Sequence, residues 1–199
     1  GSPVCGPDVT TLYCTYANCS NLTGSPVCAI GVRSMAHTYE NCYKLTGNPV
    51  CGNIVKEMSR AYCNCYSLTG APVCGNEVTS LWLTYYNCTN ITGNPVCGPN
   101  VTDMYCAYEN CWSLTGNPVC GDKVIDMSNA YHNCCNLTGS PVCGPNVTNM
   151  HCTYYNCSNL YGDMFVYSDN VSNADYCFYV RNKSKQLNII TNFGTNSYN

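Results

Sequence analysis

The sequence predicts a solenoid, a column of about seven stacked 23-residue coils closed by a C-terminal cap, and three observations predict it. The triplet Pro-Val-Cys ends at Cys5, Cys28, Cys51, Cys74, Cys97, Cys120 and Cys143, always 23 residues apart. The dipeptide Asn-Cys ends at Cys19, Cys42, Cys65, Cys88, Cys111, Cys134 and Cys157 with the same step. A tyrosine column keeps time with both: Tyr16, Tyr39, Tyr62, Tyr85, Tyr108, Tyr131 and Tyr154. A unit this short cannot bury an apolar face alone, so copies in perfect register must stack on one another.

Within the unit from Cys19 to Cys42 the fixed apolar residues are Leu22, Val27, Val32, Met35, Tyr39 and Cys42. Gly24 and Gly47 before the Pro-Val-Cys triplet, and Gly52 and Gly75 after it, read as turn positions. Val27–Cys28 is the strand candidate. Because Pro26 cannot donate to a ladder, the expected strand is short, two to four residues starting at or after the proline. Val32, Met35 and Tyr39 fall at i, i+3, i+7, which predicts one or two short helical or 3₁₀ turns. Strands spaced about 4.8 Å apart would give a right-handed rod or shallow arc roughly 35 Å long.

After Cys157 the register drifts. Val166 stands where a cysteine is due, and Val171 with Tyr176, Cys177, Phe178 and Tyr179 echoes the unit one residue late. Residues 1–162 therefore read as the repeat region and 163–199 as a degenerate capping repeat with a tail, including a charged stretch from Lys183. The first residues begin mid-unit, which reads as a piece of a longer repeat chain.

The chain of 199 residues carries 8 Lys+Arg against 11 Asp+Glu, a formal net charge of -3. Eight unclustered basic residues argue against a nucleic-acid partner or an anionic membrane surface. No apolar run reaches the roughly 20 residues that span a bilayer, so no membrane insertion is expected. With 45% hydrophobic and 10% charged residues the chain is not a disordered one.

Of 20 cysteines, 14 belong to the two ladders, one through Cys28, Cys51, Cys74, Cys97 and Cys120, the other through Cys42, Cys65, Cys88, Cys111 and Cys134. Buried thiols and regular disulfides both fit that arrangement. Metal binding does not: Cys63-x-Cys65 and Cys134-Cys135 lack the second pair a zinc site needs. No cofactor is implied. Asn41, Asn64, Asn87 and Asn110 are members of an unbroken asparagine ladder from Asn18 to Asn156, expected to be buried and to bond the backbone and each other. Ten Asn-x-Ser/Thr sequons occur, among them Asn21, Asn90, Asn146 and Asn182, and most arise simply from the repeat.

The unit Cys19-x-x-Leu22-x4-Val27-x4-Val32-x-x-Met35-x3-Tyr39-x-x-Cys42 resembles the BspA-like, Treponema-type leucine-rich repeats, with their 23-residue period and leading Cys-x-x-Leu. The resemblance covers residues 1 to about 160. It implies a leucine-rich-repeat solenoid with one short parallel strand and one short helical segment per coil. It also implies surface or secreted proteins used in adhesion, and similar tyrosine-rich repeats look like those of phage tail fibres. Pro-Val-Cys replaces the family's usual strand residues, and Val32 comes one residue late.

Catalytic constellations are absent. His37, His132 and His151 lie on different coils, and Glu40 and Glu109 share a column three coils apart, too far for paired carboxylate chemistry. The informative positions are those the repeat leaves free. One column holds Tyr13, Ala36, Ser59, Trp82, Tyr105, Ser128 and His151; the next residue gives Cys14, His37, Arg60, Leu83, Cys106, Asn129 and Cys152. A third holds Ala17, Glu40, Cys63, Tyr86, Glu109, His132 and Tyr155; a fourth holds Ser20, Tyr43, Tyr66, Thr89, Trp112, Cys135 and Ser158. Varied, aromatic-rich positions on an invariant scaffold suit a recognition surface. The expected contact residues are Tyr43, Tyr66, Trp82, Tyr86, Tyr105, Trp112 and Tyr155. The expected function is non-enzymatic recognition of a host-surface glycan or protein, on a cell surface or virion. A structural spacer with end-to-end self-association is the alternative.

Overall fold

The computed structural model describes residues 1–166, 170–179, 187–191 and 194–197. The charged stretch from Lys183 and the sequon at Asn182 lie outside the described residues.

Successive 23-residue units lie one above the next, and the backbone dictates how. The N–H groups of Leu12, Cys14, Tyr16 and Asn18 donate to the carbonyls of Ser34, Ala36, Thr38 and Glu40 on the following coil, at 2.7–3.1 Å. The N–H groups between them turn inward: Thr15, Ala17 and Cys19 each bond the carbonyl three residues back. The same alternation recurs at Leu81, Leu83, Tyr85 and Asn87, whose acceptors are Asp103, Tyr105, Ala107 and Glu109.

This alternation replaces the expected helical turns. Among the described residues there is no helix; the segment over Val32, Met35 and Tyr39 is a chain of turns. A helix would need every N–H to bond four residues back, and here every second one is committed to the neighbouring coil. Two non-glycine residues per coil stand in the left-handed region, such as His37 at φ 56° and Asn41 at φ 61°, as the third residue of a type II turn does. The apolar spacing survives because a run of such turns still faces Val32, Met35 and Tyr39 inward, all fully buried.

The strand also lies elsewhere than expected. Parallel bridges link Thr11, Ser34, Glu57, Ser80, Asp103, Asp126, Asn149 and Asn173, six residues after each Pro-Val-Cys cysteine up to Asn149. Among the described residues the expected Pro-Val-Cys position is bridged only at its end, where Cys143 pairs with Val166. Val27 takes no part in such a ladder. Both of its backbone groups are held by one phenol: Tyr39 Oη donates to Val27 O and accepts from Val27 N, each at 2.9 Å. Tyr62 does the same for Val50, and Tyr108 for Val96. A proline one residue earlier is therefore harmless.

The tyrosines form the spine of the core. Rings from Tyr16 to Tyr154 stack at centroid distances of 5.4–5.6 Å with interplanar angles of 3–10°. Met, Val, Leu and Cys columns surround them, fully buried from Val32 to Leu137. All 20 cysteines are free thiols. The Cys42 column does more than fill space: Cys65 Sγ donates to Tyr39 O at 3.1 Å, and Cys88, Cys111 and Cys134 repeat the bond to Tyr62, Tyr85 and Tyr108. A thiol here satisfies a buried carbonyl that a methyl group would leave bare. The Cys28 column is half-buried, and its sulfurs explain a glycine. A Cβ on Gly98 would meet Cys74 Sγ and Gly75 O at 2.9 Å each, so Gly75 and its successors serve close packing as well as opening a turn, which Val78 N closes on Gly75 O at 3.2 Å.

At the C-terminal end β1 (Gly162–Val166) pairs parallel with β2 (Leu187–Thr191), which pairs antiparallel with β3 (Gly194–Ser197). The coil pattern runs on beyond β1 with a one-residue offset. Asn173 bridges Asn149, 24 residues away, and Phe178 stacks on Tyr154 at 5.5 Å.

Candidate functional site

The bridge column fixes the direction of the residues that follow it. Its members vary, yet each carries a side-chain oxygen: Ser80 Oγ accepts from Trp82 N at 3.1 Å, and Asp103 Oδ1 accepts from Tyr105 N at 2.8 Å. This local bond, which Ser, Asp and Asn favour, reins in the chain just where the first varied column begins. The next residue is then left-handed whatever its side chain, from Leu83 at φ 53° to Cys106 at φ 50°. The turn ends at the asparagine ladder.

That ladder is half-buried rather than buried, and it does two jobs. Asparagine tolerates the left-handed backbone at φ 58–63°. Its amide also runs the ladder: Asn87 Nδ2 donates to Asn64 Oδ1 at 2.7 Å, and Asn110 Nδ2 donates to Asn87 Oδ1 at 2.8 Å. Asn87→Gly should lose about 1–2 kcal/mol of stability with those two bonds. Asn87→Ala should lose roughly 1 kcal/mol more, because alanine must also occupy the left-handed region. Urea denaturation of the two variants separates the contributions; equal losses would remove the backbone's share.

Framed by these features, three varied columns converge on one open groove of about 550 Å³ that crosses several coils from Arg60 to His132. Trp82, Tyr86 and Tyr105 line it, together with Arg60, Leu83, Cys106, Glu109 and Asn129. Of the aromatic residues singled out in the sequence, Tyr43, Tyr66 and Trp112 do not line it. Tyr43 and Tyr66 form a separate exposed stack with centroids 5.4 Å apart, and Trp112 is also exposed. Tyr155 sits further along, edge-on to His132 at 4.8 Å and stacked with Tyr179 at 4.9 Å.

The charged residues of the groove were not among the sequence's contact residues. The Arg60 guanidinium lies 4.8 Å from the Trp82 ring centroid, and its Nη1 is 2.8 Å from Glu40 Oε1. His37 Nδ1 holds the other oxygen of Glu40 at 2.6 Å. Burial pushes the Glu40 carboxyl up, but the His37 and Arg60 hydrogen bonds outweigh it and hold the group below the usual range. Glu109 meets His132 Nδ1 at 3.2 Å. Its charge, acting behind the effect of burial, raises the Tyr86 phenol. The signal for this pairing was present in the sequence, since Glu40 and Glu109 recur in one column beside His or Arg.

The thiols here are not poised as nucleophiles. Burial, followed by the Glu40 charge, pushes Cys63 up to about 12, and burial with a hydrogen bond to Glu109 raises Cys106. Among the described residues no group of His, Cys, Asp and Glu is placed to hold a metal ion, and no helix is long and apolar enough to cross a membrane. Comparisons with protein-family models, curated proteins and solved structures gave no match.

Proposed function

We propose that the chain is a leucine-rich-repeat-type solenoid acting as a non-catalytic recognition module on an extracellular surface or virion. Its ligand is a host-surface protein or glycan, bound in the groove between Arg60 and His132. The observation that carries this reading is the division of labour along the repeat. Positions held constant build the tyrosine, cysteine and asparagine columns, while three of the varied columns share one open groove lined by Trp82, Tyr86 and Tyr105. Half-exposed rings on a rigid frame give contact area at little entropic cost, which is how recognition surfaces gain affinity.

Binding of the purified chain to host cells, and to glycan and protein arrays, tests the proposal. The triple variant Trp82→Ala, Tyr86→Ala, Tyr105→Ala should bind at least about tenfold more weakly with its melting temperature nearly unchanged. The triple variant Tyr43→Ala, Tyr66→Ala, Trp112→Ala should bind as the parent does. The reverse result would move the site to the exposed stack.

A further inference from the structure

Taking the groove as the recognition surface, we propose that its Glu109 end receives a cationic side chain, an arginine or lysine presented by a protein partner. The repeat supplies its own internal comparison. Glu40 and Glu109 occupy the same column, and 20 residues after Glu40 comes Arg60, whose Nη1 lies 2.8 Å from that carboxylate. Twenty residues after Glu109 comes Asn129. The backbone is the same at both places, φ 55° at Arg60 and φ 54° at Asn129, so the difference lies in the side chain alone. Where one coil provides an arginine for its carboxylate, the other provides a neutral amide.

Glu109 does have partners: His132 Nδ1 at 3.2 Å, and the Cys106 thiol. Neither is a permanent cation, and among the described residues no lysine or arginine forms an ion pair with it. Around it stand the rings that a cation prefers. Tyr86 and Tyr105 line the same groove, and the Glu109 charge reaches both phenols. The groove already holds one such arrangement, Arg60 over Trp82 with Glu40 as counter-ion. A guanidinium or ammonium from outside would reproduce it at Glu109, gaining from both the carboxylate and the rings. A neutral sugar could stack on the rings but would leave the carboxylate without its opposite charge.

The test uses amide NMR of the whole chain with three probes: acetyl-Gly-Arg-Gly-amide, its citrulline counterpart, and chitotriose. The arginine peptide should shift the resonances of Tyr86, Tyr105 and Glu109, and bind at least about fivefold more tightly than the citrulline peptide. Glu109→Gln should erase that preference. Asn129→Arg should block the arginine peptide, because it supplies from within the cation that Arg60 supplies to Glu40; melting temperatures check that both variants fold. Equal binding of the two peptides, or an arginine preference that survives Glu109→Gln, overturns the cation. Binding of chitotriose in preference to the arginine peptide overturns it too, yet leaves the groove as the recognition surface. If no probe shifts a groove residue, the cation is again overturned, and cell binding by the Trp82, Tyr86 and Tyr105 variants judges the groove separately.

Discussion

Raising the pH above about 9 will unfold this protein cooperatively, with most of its stability lost before pH 12. Burial pushes the thiols of Cys42 and Cys51 up to about 11 and those of Cys74 and Cys120 up to about 12, and raises Cys65, Cys111, Cys134 and Cys157 well above their ordinary value. The phenols of Tyr62, Tyr85, Tyr108, Tyr131 and Tyr154 are raised for the same reason. In the unfolded chain these groups ionise near 9 and 10 respectively. Between those values and the folded ones the unfolded state has released protons that the folded state still holds, so stability falls as pH rises.

Each such proton contributes a slope of roughly 1.4 kcal/mol per pH unit, and many act together, against a total stability of about 5–15 kcal/mol. Below about pH 7 the same groups are neutral in both states and the slope vanishes. Phenolate absorbance recorded alongside near-ultraviolet circular dichroism checks this. The core phenolate signal should rise only as the fold is lost. A gradual rise within an intact fold would show that the spine is open to water.

The second large effect is expected at the hydroxyl of a spine tyrosine. Tyr108 Oη donates to Val96 O at 2.7 Å and accepts from Val96 N at 3.1 Å. Tyr108→Phe keeps the ring and its two stacking neighbours but strands both backbone groups, and should lose about 2–4 kcal/mol. Tyr108→Leu removes the ring as well, between neighbours at 5.4 and 5.6 Å, and should lose at least about 1 kcal/mol more. Phe178 ends the stack as a ring without a hydroxyl. Guanidinium denaturation of both variants gives the two losses. A Phe variant as stable as the parent would mean that Val96 finds other partners.

The stack, the buried columns and the one-residue offset near Val171 were legible in the sequence because each repeats at a fixed step, and periodicity survives any local geometry. The strand was not. Val27–Cys28 is apolar and β-branched, as a strand should be, but nothing in its own residues tells that Tyr39 takes both of its hydrogen-bonding groups. The bridge column was hidden for the opposite reason: Ser34, Glu57, Ser80 and Asp103 look variable until their shared side-chain oxygen is noticed. The helical spacing was real, and left-handed residues produced it. At the candidate site column membership, more than aromatic content, separates Trp82, Tyr86 and Tyr105 of the first and third columns in the groove from Tyr43, Tyr66 and Trp112 of the fourth column outside it. Which side of a turn a ring occupies depends on the backbone that carries it.

The left-handed position within the groove wall limits what the groove can become. Cys14, His37, Arg60, Leu83, Cys106, Asn129 and Cys152 all stand at φ 50–56°, and none is β-branched. Valine, isoleucine and threonine are the residues that this backbone penalises most. A combinatorial library built on this scaffold would find its alphabet shortened in that one column. Glycine and asparagine there would raise the melting temperature at the expense of a larger side chain, while the column before it is free of that torsion and the column after it, buried at Thr84 and Ala107, admits only small residues. Diversity in that column is thus filtered by a backbone torsion before any contact is made.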